Sequence, residues 1–124
     1  MNVVDSSGWL EYFADGSNAE FFAGAVENTV DLIVPTITLF EVFKRVLQLR
    51  GETEALHAVA QMQQGKVIVV DAALAIDAAR TSFEMRLPMA DSLILTTARR
   101  YEAELWTQDS DFAGIGGVRY KGAV

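Results

Sequence analysis

The sequence predicts an α/β fold in which a parallel sheet is covered by helices on both faces. Two observations indicate it: strand-like and helix-like segments alternate along the chain, and the strand-like segments are continuously apolar. A third observation indicates the number of domains. The 124 residues contain no repeat, linker or low-complexity segment, which predicts a single domain over residues 1–124.

The elements follow from local signals in the sequence. The predicted strands are residues 2–5, 31–34, 66–70, 104–106 and, at an edge, 116–120. The predicted helices are residues 6–15, 17–28, 36–50, 52–64, 71–85 and 88–103. Serines begin the first helix, and Pro35 closes the second strand. Gly51 and Gly65 each end a helix, and Pro88 suits the first turn of the last one.

Composition narrows the class of protein. With 17 acidic and 10 basic residues, the chain should not coat nucleic acid non-specifically, because such binding depends on Lys and Arg. A nuclease stays compatible, since bound metal ions would supply local positive charge. No cysteine is present, so there is no disulfide framework or thiolate site. Without a membrane-spanning run or a secretory signal, the sequence predicts a cytoplasmic protein with no membrane contact.

Acidic residues follow two of the predicted strands. Asp5 ends the first strand, and Asp109 and Asp111 follow the strand at 104–106 in the segment LWTQDSDF. Ligands of parallel sheets collect outside the carboxyl ends of the strands, so these acids are expected at that crevice. Each also has an ordinary explanation. Asp5 could cap the next helix, and Asp109 or Asp111 could be a turn acid.

Glu41 lies inside a predicted helix and has a simple local interpretation. The segment from Thr38 to Glu41 matches the capping-box pattern. A helical wheel places Glu41 opposite the apolar face, three and four residues before Lys44 and Arg45. Taken alone, Glu41 is therefore predicted to be a surface residue with a weak ion pair.

Asp91 is more informative, because the wheel places it in the middle of the buried arc of its helix. Ser92 and Thr96 are expected on the outer side. A carboxylate on a buried face is costly unless it is paired, hydrogen-bonded or bound to metal, so Asp91 indicates a functional site. Asp71 is instead predicted to be a helix N-cap. His57 is the only histidine and lies in the middle of a predicted helix without a partner serine or cysteine, which argues against a catalytic triad.

Four segments together resemble the PIN domain, in particular the small stand-alone toxins of the VapC type. They are VVDSSGWLEYF, VPTITLFEVFKRV, PMADSLILTTARR and LWTQDSDF, in the family's order and at about its spacing. The resemblance implies a three-layer α/β/α sandwich around a mainly parallel sheet. It also implies four catalytic acids that converge at the sheet's carboxyl edge and hold one or two Mg²⁺ or Mn²⁺ ions. These are Asp5, Glu41, Asp91 and Asp109. The supporting residues would be Asp111, Thr107 and Ser6.

Elementary chemistry agrees with a metal at such a site. Four neighbouring carboxylates cannot all stay ionised unless cations compensate their repulsion. Oxygen ligands without histidine or cysteine favour Mg²⁺ or Mn²⁺ over zinc. Such an ion can activate water for attack on a phosphodiester, so no side-chain nucleophile is required.

The resemblance also implies a function and partners. It implies a metal-dependent endoribonuclease, the toxin of a type II toxin–antitoxin pair, that cuts tRNA or rRNA. It implies a homodimer and a cognate antitoxin bound over the active site. Basic residues near the site segments are candidates for steering RNA phosphates, with plain surface charge as the alternative: Lys44, Arg45, Arg86 and Arg99. Apolar residues of the two helices in 36–64 are candidates for the antitoxin groove: Phe40, Phe43, Leu47, Leu56 and Val59.

Two other functions compete with the endoribonuclease. One is a catalytically silent PIN-fold module that binds protein or RNA; the presence of all four acids counts against it. The other is a phosphoacceptor receiver domain, which needs adjacent acids after the first strand and an acceptor aspartate after the third. Asp5 stands alone before two serines, and Asp71 has no second acid beside it.

Overall fold

A five-stranded parallel sheet forms the centre of the computed structural model, which describes residues 1–123. Val124, the last residue of the predicted domain, lies outside the described residues. The strands are β1 (Asn2–Val4), β2 (Leu32–Pro35), β3 (Lys66–Ile68), β4 (Glu104–Thr107) and β5 (Val118–Tyr120). Their order is β3-β2-β1-β4-β5, and every neighbouring pair is parallel. All carboxyl ends therefore meet at one edge of the sheet.

Helices cover both faces of this sheet. They are α1 (Ser6–Phe13), α2 (Ala19–Val26), α3 (Thr36–Arg50), α4 (Glu52–Met62), α5 (Ala72–Met85) and α6 (Met89–Arg100). Short 3₁₀ turns occupy Thr29–Asp31 and Ser110–Phe112. None of the helices in residues 1–123 is long and apolar enough to cross a membrane.

Two hydrophobic clusters lie on opposite faces of the sheet, because successive strand residues point to opposite sides. Val4 and Val34 pack with side chains of α1 to α4, including the fully buried Trp9. Val3 and Ile33 pack with α6 and with Leu87, Phe112 and Leu105. This arrangement confirms the predicted three-layer α/β/α sandwich and its parallel sheet.

The third strand is shorter than predicted. Residues 66–70 were expected in it, but β3 ends at Ile68, which pairs with Pro35. β2 ends at Pro35 and α3 begins at Thr36, so no neighbouring strand remains to accept Val69, which is 63% exposed. The edge strand predicted at 116–120 is confirmed over Val118–Tyr120.

Two helical details differ from the sequence-based expectation. The capping box at Thr38 is wrong: α3 begins at Thr36 with Pro35 as its N-cap, and the buried Thr38 hydroxyl donates to the carbonyl of Pro35. Ser92 and Thr96 are buried rather than outward-facing. α5 covers that side of α6, where the Thr96 hydroxyl lies 3.3 Å from the Thr81 hydroxyl.

The N-cap predicted at Asp71 is confirmed, because its carboxylate accepts the Leu74 amide proton at 2.8 Å.

Candidate active site

Asp5 is the most buried acid at the carboxyl edge of the sheet, with 3% of its surface exposed. It follows β1 directly and caps α1 by accepting the Gly8 amide proton at 2.9 Å. Its carboxylate also accepts hydrogen bonds from the hydroxyls of Ser7 at 2.8 Å and Thr107 at 2.6 Å. The sequence left two alternatives for Asp5, a helix cap or a residue of the site. In the structure Asp5 is both.

Thr107 links Asp5 to the second acidic segment. It is the last residue of β4, the neighbour of β1, and it is fully buried. Its hydroxyl donates to Asp5 and accepts the amide proton of Asp109 at 2.9 Å. One side chain thus fixes both the Asp5 carboxylate and the backbone at Asp109.

Asp109 and Asp111 form a tight acidic turn after β4. The Asp109 carboxylate accepts the Asp111 amide proton at 2.9 Å and caps the 3₁₀ turn that follows. Phe112, at the end of that turn, is fully buried and anchors it in the core. The turn explanation therefore holds for Asp109, and the same turn holds Asp111 close to the sheet edge.

Asp91 of α6 also lies at this carboxyl edge of the sheet. It lies in the first turn of α6 and is half-buried, in line with the wheel prediction. Asp91, Asp109 and Asp111 each offer a carboxylate oxygen, and the three atoms lie within 4.8 Å of one another. This spacing is close enough for one ion to contact several of them.

Glu41 approaches from α3 and is not the surface residue that its local pattern suggested. It is half-buried, and its Oε1 accepts a hydrogen bond of 2.6 Å from the hydroxyl of Ser6 in α1. Among residues 1–123 it forms no ion pair with Lys44 or Arg45. The wheel failed because the partner of Glu41 belongs to a different helix.

The acids perturb one another. Burial raises the pKa of Asp5 to about 6, against the lowering effect of its hydrogen bonds from Thr107, Gly8 and Ser7. Burial also raises the pKa of Asp91 to about 7. Repulsion adds to that rise, and it comes from Asp109, Asp5, Asp111 and Glu41. The four predicted catalytic acids, with Asp111, thus lie within electrostatic reach of one another.

This donor set fits a hard divalent cation. Every ligand atom in the cluster is a carboxylate oxygen, and the chain has no cysteine. His57 lies in α4 and lines a neighbouring groove, and it is not part of the carboxylate cluster. Oxygen-only sites suit Mg²⁺ or Mn²⁺ better than zinc, and the crowded charge favours a cation. Asp91, Asp109 and Asp111 are close enough to share such an ion, whereas Asp5 and Glu41 lie within electrostatic reach of Asp91 but outside this three-oxygen group.

The four candidate RNA-binding residues are all exposed, but they are not equivalent. Arg45 lines a groove beside α1, together with Ser7. Arg86 follows α5 as its C-cap, three residues before α6 begins. Arg99 follows Asp91 by eight residues in α6, which puts it about 12 Å further along the helix axis. Arg99 is therefore removed from the carboxylates.

Two residues near the site were not anticipated from the sequence. Asn18 is only 1% exposed, and its amide donates to Gln108 Oε1 and to the Gly122 carbonyl, both at 3.0 Å. Gln108 precedes Asp109 in the acidic turn. An asparagine before a helix looks like an ordinary cap, although Asn18 makes no side-chain capping bond. No local signal reveals a contact between positions 90 residues apart.

Comparisons with known proteins agree with this architecture. A PIN domain family model matches residues 3–118, and no curated protein sequence matches the chain. A toxin–antitoxin complex from Klebsiella pneumoniae is similar in structure, with a TM-score of 0.80, 23% identity and 96% of each chain covered. VapC20 from Mycobacterium tuberculosis, a sarcin–ricin loop cleaving toxin, gives 0.78 at 19% identity over 94% of this chain and 95% of that one.

A third similar structure is VapBC2 from Rickettsia felis bound to a promoter DNA fragment, with a TM-score of 0.70 and 16% identity. It covers 98% of this chain and 97% of that chain. At such identities the likeness shows a shared fold, whereas the family model covers nearly the whole sequence. The chain belongs to the PIN domain family.

Proposed function

We propose that this protein is a metal-dependent endoribonuclease and the toxin of a type II toxin–antitoxin pair. The observation that carries the proposal is the convergence of Asp5, Glu41, Asp91 and Asp109 from four separate elements onto one sheet edge. Similar folds occur in a toxin–antitoxin complex and in a toxin that cleaves the sarcin–ricin loop, which supports RNA as the substrate.

The chain's own residues prepare this edge for phosphodiester hydrolysis. Hydrogen bonds from Thr107 and Ser7 orient the Asp5 carboxylate and favour its ionised form. The hydroxyl of Ser6 fixes the orientation of the Glu41 carboxylate by donating a hydrogen bond to its Oε1. When bound, Mg²⁺ or Mn²⁺ supplies Lewis-acid chemistry, which makes water nucleophilic near neutral pH and compensates charge on the leaving oxygen. The product expected from the family resemblance carries a 3′-hydroxyl.

The direct test is cleavage of purified tRNA and rRNA in the presence and absence of divalent ions. We expect cuts at discrete positions with Mg²⁺ or Mn²⁺, no cuts in EDTA, and recovery when the ion is restored. The rival, a silent PIN-fold binding module, predicts intact RNA in every condition. Absence of cleavage by a folded, metal-supplemented protein across these RNAs would favour that rival.

Two separate apolar surfaces support the proposed binding of an antitoxin and of a second copy of this chain. The first is the α3–α4 surface, where Phe40, Leu47 and Leu56 are exposed. Phe43 and Val59, also expected there, instead pack partly against the core. The second is the α5 surface, where Ile76 and Phe83 are exposed. We assign the α3–α4 surface to the antitoxin and the α5 surface to a second copy of this chain.

Phe83→Asp is expected to convert the homodimer into a monomer. Phe83 is 88% exposed, so the change should not disturb the fold, whereas a charge in an apolar interface is strongly unfavourable. Light scattering after size exclusion measures the mass. Phe40→Asp is the matched control and should leave the dimer intact while weakening antitoxin binding. A Phe83→Asp protein that stays dimeric would contradict the assignment of the α5 surface.

A further inference from the structure

A groove lies beside the acidic site, and the proposed chemistry does not use it. It has a volume of about 530 Å³ and lies between α1, α3 and α4. Its apolar wall includes Leu10, Phe13 and Leu49, and its polar wall includes Arg45 and Gln108. Cavities of this size with a few fixed polar groups are typical of small-ligand sites. We call it the α1–α3–α4 groove.

The groove is continuous with the acidic site. Ser7 lines it, and the Ser7 hydroxyl also donates to the Asp5 carboxylate. Gln108 lines it as well and is the residue immediately before Asp109. If a phosphate of a bound polymer lies at the carboxylates, the part of the polymer next to that phosphate reaches the groove.

The amide of Gln108 is held in one orientation. Its Oε1 accepts a hydrogen bond from the Asn18 amide, and Asn18 is itself buried and bonded to the Gly122 carbonyl. Because the oxygen of Gln108 is engaged, its amino group is the part available to a ligand. Glu11, an acid in the groove wall, is engaged too, since it accepts the Asn18 backbone proton at 2.8 Å.

Arg45 offers a positive charge without an acidic partner. Among residues 1–123 no carboxylate lies within 4.0 Å of its guanidinium, whereas Arg80, Arg100 and Arg119 are each paired with an acid. Its only side-chain hydrogen bond in this range is a long one of 3.5 Å to Gln48. A free guanidinium in a strongly acidic protein suits a phosphate group.

We propose that the α1–α3–α4 groove binds one unpaired nucleotide of the RNA, next to the phosphate that is cut. The apolar wall receives the face of the base, the Gln108 amino group donates to an acceptor on the base edge, and Arg45 contacts the adjoining phosphate. The inference rests on the proposed ribonuclease function and names where that enzyme reads sequence. Sequence-specific RNA binding acts on such unstacked bases.

Binding is tested with a short fluorescein-labelled single-stranded RNA of mixed sequence. The measurements use the Asp91→Asn background without divalent ions, so the RNA stays intact whether or not the protein is a nuclease. Arg45→Ala should weaken binding about tenfold and reduce its salt dependence. The matched control Arg80→Ala, on α5, should bind like its parent. Equal binding by both variants would overturn the inference.

Base reading is tested with Gln108→Glu in the otherwise native enzyme. Glutamate keeps an acceptor for Asn18 but replaces the donor that faces the groove, so the preferred base beside the cut should change when a random RNA pool is sequenced. Gln64→Glu adds the same charge on an exposed residue and should leave the preference unchanged. An unchanged preference in Gln108→Glu would contradict the proposal. If the Arg45 and Gln108 variants weaken only antitoxin binding, the groove accommodates peptide and the proposal fails.

The nuclease activity and the nucleotide site in the groove are tested separately. If the native protein cuts no RNA but Arg45→Ala still weakens binding relative to Arg80→Ala, the nuclease proposal fails and the groove remains an RNA site. If cleavage is normal and neither groove variant changes binding or preference, the nuclease stands and the groove assignment is wrong.

Discussion

Asp91→Asn is expected to lower the rate of RNA cleavage on the order of 10³-fold while leaving the protein folded. Asparagine has the same shape as aspartate but cannot contribute a negative charge to the oxygen cluster formed with Asp109 and Asp111. The measurement is the single-turnover rate on a defined RNA at saturating Mg²⁺, with circular dichroism to confirm the fold.

The control for this prediction is Asp77→Asn. Asp77 is an exposed acid on α5 that pairs with Arg80 and Arg100, and such surface ion pairs contribute little to stability. It should cut RNA at the native rate. Native-rate cleavage by Asp91→Asn would show that the acidic cluster is not the catalytic site.

Without metal, the native protein is expected to lose stability as the pH rises, relative to Asp91→Asn. The pKa of Asp91 is raised by burial and by its acidic neighbours, from 3.8 to about 7. Well below pH 3.8 the carboxyl is protonated in both states and no difference appears. Between 3.8 and about 7 the unfolded chain loses this proton before the folded chain does, so the folded state becomes progressively less favourable.

Above pH 7 the difference should be constant at about 1–2 kcal/mol, a range that allows for solvent screening of a half-buried group. Urea unfolding of both proteins at pH 4, 6 and 8 in EDTA measures it. Mg²⁺ should stabilise the native protein and stabilise Asp91→Asn much less, because binding to the folded state alone raises its stability. If the free energy of unfolding changed with pH in the same way for both proteins, the raised pKa of Asp91 would be contradicted.

The sequence predicted the part of the site that follows from strand ends and helix faces. Asp5 and the acids after β4 are placed by the topology of a parallel sheet, because every strand ends at the same edge. Asp91 was recognised because a carboxylate on a buried helical face needs a partner. Both inferences use only local pattern and one general rule of α/β folds.

Glu41 shows where local pattern is insufficient. Its position opposite the apolar face of α3 suggested solvent, but α1 packs beside α3 and Ser6 provides a hydrogen bond across 35 residues. The outer side of α6 was misjudged in a similar way, because Ser92 and Thr96 are both buried and Thr96 contacts Thr81 of α5. The hydrogen bond between Asn18 and Gln108 cannot be predicted from local pattern, because it depends on the packing of distant segments.

Anomalous scattering from manganese in crystals soaked with Mn²⁺ shows directly whether the acidic cluster binds a divalent ion. We predict a strong anomalous peak within coordination distance of Asp5, Asp91 and Asp109, and we expect its occupancy to be lost in the Asp91→Asn protein. A fully soaked crystal with no peak at these carboxylates, or with peaks only elsewhere on the surface, would contradict it.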